Sequence, residues 1–127
     1  MRKIIAMMIC FTLLIAVMSI AIAAAESVTL ALPANIQVIF EEAFMDNTSI
    51  REVDIPEGTT SIESKAFSGC TALGKVTINS RDVQIATDAF DGCPNVNLYV
   101  YHNSTGEAFA LEKGIAYTLI DGTEPIP

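Results

Sequence analysis

Basic residues are scarce in this chain: seven Lys and Arg stand against fifteen Asp and Glu over 127 residues, a net charge of −8. A surface this acidic stays soluble and opposes phosphate backbones and anionic lipid, so no nucleic-acid partner is expected. Histidine is scarcer still. His102 is the single one, so any Cys–His or Ser–His–Asp arrangement would have to pass through it; it stands beside Asn103, where a surface histidine is ordinary. Outside the N-terminal apolar run two cysteines, with no C-x-x-C, and that one histidine fall short of the usual four zinc ligands. There is no P-loop, no dinucleotide fingerprint and no H-E-x-x-H. Asp88 and Asp91 precede Gly92 but lack the other ligands of a calcium loop and read as solvated turn carboxylates. Glu41 and Glu42 suit the start of a helical turn without any functional need. No enzyme activity, catalytic residue, cofactor or metal is therefore expected. The asparagines of Asn47-Thr48-Ser49 and Asn103-Ser104-Thr105 match a glycosylation pattern that matters only in a glycosylating host.

Long apolar runs are absent except at the start. Arg2 and Lys3 precede an uncharged stretch from Ile4 to Ile22, and Ala23-Ala24-Ala25 then gives way to Glu26. A basic head, an apolar middle and a small-residue end predict a secretory signal over residues 1–25. Nineteen residues also match the thickness of a bilayer, so an uncleaved signal is the one route to a membrane. Arg2 and Lys3 leave with the signal while every acidic residue stays, taking the net charge from −8 to −10. Cys10 leaves too. Cys70 and Cys93 remain, too few for a disulfide scaffold, so the fold must be held mainly by packing.

What the chain does have is a repeat of 23 residues. Ala43-Phe44, Ala66-Phe67 and Ala89-Phe90 are in phase, as are Ile39, Ile62 and Ile85, and Ile50, Leu73 and Val96. At the same period Leu30, Val53, Val76 and Tyr99 form one column and Leu32, Ile55, Ile78 and Tyr101 another, so that TLALP, EVDIP, KVTIN and LYVYH mark successive passes of one strand. The V-x-I alternation turns Val53 and Ile55 inward and Glu52 and Asp54 outward. Pro33 and Pro56 follow the strand where a lost N–H breaks no ladder. EEAF, SKAF and TDAF are too short for independent helices and read as single helical turns. One coil cannot bury these columns alone, whereas a stack of coils makes one continuous core.

The frame I-x-x-x-A-F-x-x-C-x-x-L-x-x-V-x-I, written IESKAFSGCTALGKVTI over 62–78 and IATDAFDGCPNVNLYVY over 85–101, resembles the BspA-like class of bacterial leucine-rich repeats. Met45-Asp46-Asn47 departs from it where Ser-Gly-Cys is expected, as do Tyr99 in the Val column and Asn79 in place of the proline. The resemblance implies a leucine-rich-repeat-like solenoid, mainly β with short helical turns. About three 23-residue coils occupy residues 26–100, with repeats near 32–54, 55–77 and 78–100. A helix–strand cap follows at 101–120 and a flexible tail at 121–127. In the cap, Ser104 to Glu107 has capping-box spacing, Ala108, Leu111 and Phe109 give an apolar side, Gly114 ends the helix, and 115–120 supplies a last strand.

Function is then expected on the surface. The resemblance implies a non-catalytic, secreted or cell-surface protein-binding module whose partner is an extracellular protein, with adhesion among its roles. A structural spacer or cap of a larger surface protein is the alternative. The candidate binding face is Glu52, Asp54, Lys75 and Thr77, flanked by Thr29 and Ala31 below and Leu98 and Val100 above. At a fixed period Tyr99 and Tyr101 point inward, leaving that face without aromatic anchors. Cys70 and Cys93 share a column with Asn47, the slot where leucine-rich repeats turn Asn or Cys toward turn backbone; a disulfide between stacked strands stands as the other reading.

Overall fold

The computed structural model describes residues 28–122. The signal expected over 1–25 and the tail beyond 122 lie outside those residues. The chain coils about four times as an all-parallel β-solenoid. Its broad side carries β1 (Val28–Ala31), β3 (Ile50–Ile55), β5 (Lys75–Ile78), β7 (Asn97–Val100) and a closing strand β8 (Ala116–Leu119), hydrogen-bonded in that order. The second side carries β2 (Val38–Ile39), β4 (Ser61–Ile62) and β6 (Gln84–Ile85), stacked alike.

The third side is the corner that holds the Ala-Phe pairs. It is not a helical turn, as the sequence suggests, but a run of linked i→i+3 turns: Ala66 N donates to Glu63 O, Ser68 N to Lys65 O and Cys70 N to Phe67 O. Left-handed backbone at Lys65 (φ 55°) and Gly69 (φ 74°) interrupts any helix. The corners are stitched to one another by backbone bonds. Phe44 N donates to Ala66 O and Phe67 N to Ala89 O, both at 2.8 Å, and Gly69 N reaches Asp91 O at 2.8 Å. Backbone polarity is therefore satisfied between coils on all three sides, which is what lets irregular corners border a dry core.

Inside, the Val, Ile and Leu columns pack with a stack of rings. Phe44 and Phe67 lie 5.2 Å apart and Phe67 and Phe90 5.4 Å, the latter pair parallel to within 2°. Asp46, Gly69 and Gly92 hold one column of left-handed backbone, and a methyl added at Gly69 would run into the Asp46 carboxylate. Gly69→Ala is expected to lower the unfolding free energy by about 1–2 kcal/mol in urea, the penalty of an L side chain in that region. Asp46→Gly in the same chain removes the collision but not the strain, so it recovers only part of the loss.

The last coil departs from the 23-residue period. β3 and β5 pair Val53 with Val76 and Ile55 with Ile78, but β7 sets Leu98 against Val76 and Tyr99 against Thr77. Two residues separate Leu73 from Val76, and only one separates Val96 from Leu98. One residue is missing there, and a one-residue slip turns every side chain of the strand over. Leu98 and Val100 are fully buried instead of facing out, and Tyr99 and Tyr101 stand on the outer face instead of inward.

The cap closes that coil. Helix α1 (Thr105–Lys113) starts at Ser104, whose hydroxyl accepts from Glu107 N at 3.2 Å, and ends at Gly114 (φ 66°). Glu107 reaches back one residue further than a capping box requires, accepting from Asn103 N at 2.6 Å. Gly106, Phe109 and Ala110 make the buried face, while Ala108 and Leu111 point to solvent, against the expected apolar side. Phe109 meets Phe90 edge-on at 6.1 Å and so terminates the ring stack. Gly106 must lack a side chain, since its Cβ would stand 2.8 Å from a Val100 methyl.

Candidate functional site

Outward positions of the broad sheet align in two ranks. Thr29, Glu52, Lys75, Asn97 and Ala116 form the first; Ala31, Asp54, Thr77, Tyr99 and Thr118 form the second. The structure thus brings Glu52, Asp54, Lys75 and Thr77 side by side and puts Asn97 and Tyr99, not Leu98 and Val100, next to them. The Lys75 ammonium lies 5.0 Å from the Tyr99 ring centre, and the Arg81 guanidinium 4.3 Å from that of Tyr101. Two tyrosines held by two cations are rigid and amphipathic, the residue types that dominate protein interfaces. Beside them, Asn97 donates its amide to Thr118 Oγ1 at 3.2 Å while its side-chain oxygen is covered and without a partner. An unmet acceptor at such a place is a feature that a ligand donor would relieve.

Sequence reasoning missed these tyrosines because it held the period at 23 through a coil that has 22. The signal was present in the residue types: in NLYV the aliphatic Leu98 and Val100 suit a dry core, and tyrosine, with a hydroxyl to keep wet, suits the face.

The Asn47, Cys70 and Cys93 column faces the corners. Cys70 Sγ donates to Phe44 O and Cys93 Sγ to Phe67 O, each at 3.1 Å. Asn47 Oδ1 instead accepts from Ser49 N and Ile50 N at 3.0 and 3.2 Å. Each thiol is free and buried and bonds across to the preceding coil. Burial raises both thiols above their ordinary value, Cys93 to about 11. At pH 8 the thiolate of Cys93 is then roughly a hundredfold rarer than that of an ordinary cysteine. Native protein is expected to take up iodoacetamide far more slowly than denatured protein, which takes two labels per signal-free chain. The same shift has a stability sign: the neutral thiol favours the fold fully below pH 9, and that contribution is lost as pH rises from 9 through about 11.

The other polar residues brace neighbouring coils. Asp88 accepts from Ser64 Oγ at 2.8 Å and Lys65 N at 3.2 Å, and the Ser64 bond foremost lowers its pKa. Asp88, read from the sequence as a solvated turn carboxylate, thus also ties two coils together. His102, expected at the surface, is mostly covered, with Nδ1 3.5 Å from Glu107 Oε2. Among the described residues no group of three or more His, Cys, Asp or Glu is placed to hold a metal ion, and no helix is long and apolar enough to cross a membrane.

A family model described as the BspA type leucine rich repeat region (6 copies) matches residues 15–107. No curated protein and no solved structure matches the chain.

Proposed function

The chain belongs to the BspA-type leucine-rich repeat family, and from that premise we propose that it is a non-catalytic, secreted or cell-surface module that binds an extracellular protein through its broad sheet. The family supports a repeat module for protein interaction, and its members are typically surface-associated or secreted. The observation that carries the reading to one face is the pair Tyr99 and Tyr101, each under a cation: Tyr99 continues the sheet that holds Glu52, Asp54 and Thr77, and Tyr101 stands just past the end of its strand. A tyrosine anchor with mixed charge at its rim is how protein interfaces divide affinity from selectivity. Partner selection is tested by offering the exported protein to immobilised extracellular matrix proteins, with Tyr99→Ser and Lys75→Glu variants alongside. Capture by the parent and at least about a tenfold loss in Tyr99→Ser is expected, the size of an interfacial tyrosine's contribution. Equal capture of all three would move the site off this face; capture by nothing would leave a structural spacer.

A further inference from the structure

The rank beyond Tyr99 ends in a second feature. The loops that follow β3 and β5 stack beside Tyr101 and enclose a cleft of about 380 Å³ lined by Glu57, Asn79, Ser80, Arg81, Asp82 and Tyr101. Ser80 is only 7% exposed, and among the described residues its hydroxyl has no hydrogen-bond partner, so it is left to whatever fills the cleft. Asn79 gives its amide nitrogen to Ile55 O at 3.1 Å, which leaves the side-chain oxygen free to accept. Glu57 and Asp82 form no ion pair among the described residues, in contrast to Arg81. Arg81 is already engaged on three sides: Nη1 donates to His102 O at 3.3 Å, Nη2 stands 3.7 Å from Asp121, and the plane covers Tyr101. The wall thus offers acceptors in excess: two carboxylates, an amide oxygen and a serine hydroxyl, beside a tyrosine.

From this arrangement we infer that the cleft binds an arginine side chain presented by the protein partner. A guanidinium is planar and carries five donors, which matches two carboxylates flanking neutral oxygens, and it stacks on arginine and tyrosine planes. A divalent cation would want more anionic oxygens than the cleft supplies. A chain this acidic also draws a basic segment toward it before contact. The inference deepens the proposed function and rests on it, since the arginine would enter beside the Tyr99 and Tyr101 face.

The test is a titration of the purified protein with N-acetyl-arginine methylamide, followed by amide resonances. N-acetyl-citrulline methylamide serves as the neutral isostere, with methyl glucoside as a third probe. Saturable shifts confined to residues near 57, 79–82 and 101 are expected with arginine, and none with citrulline. The paired substitution Glu57→Gln, Asp82→Asn, at exposed positions that keep their shape, is expected to weaken binding at least about tenfold, as loss of charged hydrogen bonds implies. Ser80→Ala is expected to weaken it severalfold with the charge unchanged, which bare acidity would not produce. Equal shifts with citrulline, shifts spread over Glu41, Glu42 and Glu52 alike, or a response to the glycoside alone would overturn the inference. A blank titration beside intact partner capture by the sheet would overturn it while leaving the proposed function standing.

Discussion

Replacing Phe67 by alanine is expected to lower the unfolding free energy by about 3–5 kcal/mol, the range for a buried aromatic truncated in a packed core. Phe67 is fully buried and has a stacked ring on each face, Phe44 at 5.2 Å and Phe90 at 5.4 Å. Its loss opens a cavity in the middle of the stack, and the neighbours cannot close it, because backbone bonds from Phe44 N to Ala66 O and from Phe67 N to Ala89 O hold the coils at fixed spacing. Phe44 carries the same side chain at the same place in its own coil, but it borders solvent and has a ring on one face only. Phe44→Ala is therefore expected to cost about 1–2 kcal/mol, since less area leaves water there on folding. Urea denaturation of the two variants reads the contrast. Equal losses would mean that the corner is loosely packed and that the ring stack contributes only its area. Stability of a small domain is typically about 5–15 kcal/mol, so the first substitution removes a large share of it.

The same repeat logic explains which parts of this molecule were legible in its sequence. A column recurring at period 23 is read directly, because every coil meets the same neighbours; hence the Phe stack, the buried Ile39 and Ile62, and the buried Ile50, Leu73 and Val96. The helix was legible at its ends, where Ser104 and Gly114 do local chemistry, but not on its faces. Which side of α1 is buried depends on where Val100 and Phe90 stand, and no spacing within the helix records that. The corner conformation was hidden for a related reason. Alanine and phenylalanine suit a helical turn locally, and only the stitching between coils favours the tighter turns. The polar cleft lay furthest from view. Glu57, Ser80 and Tyr101 come from three different coils, and a buried serine without a partner has no signature in a sequence.

The sharpest consequence of the shortened last coil is a pair of adjacent substitutions with opposite outcomes. Leu98→Asp places a carboxylate at a position with no exposure, against Val76 and beside Val100, where it finds neither water nor a donor. A charge so placed costs more than a lost side chain, and more than about 4 kcal/mol is expected, enough to threaten folding. Tyr99→Asp, one residue on, falls on the outer face opposite Thr77. It forfeits the contact with the Lys75 ammonium, which is worth about 0.5–1 kcal/mol at an exposed site. An aspartate there also finds Lys75 as a new ion partner, so the net change is expected to stay within about 1 kcal/mol. Had the 23-residue period continued, the two results would exchange places, with Tyr99 in the core and Leu98 outside. Thermal melts of the two variants decide between these registers without any ligand. A Leu98→Asp protein as stable as its parent would return both tyrosines to the core and remove the anchors of the binding face.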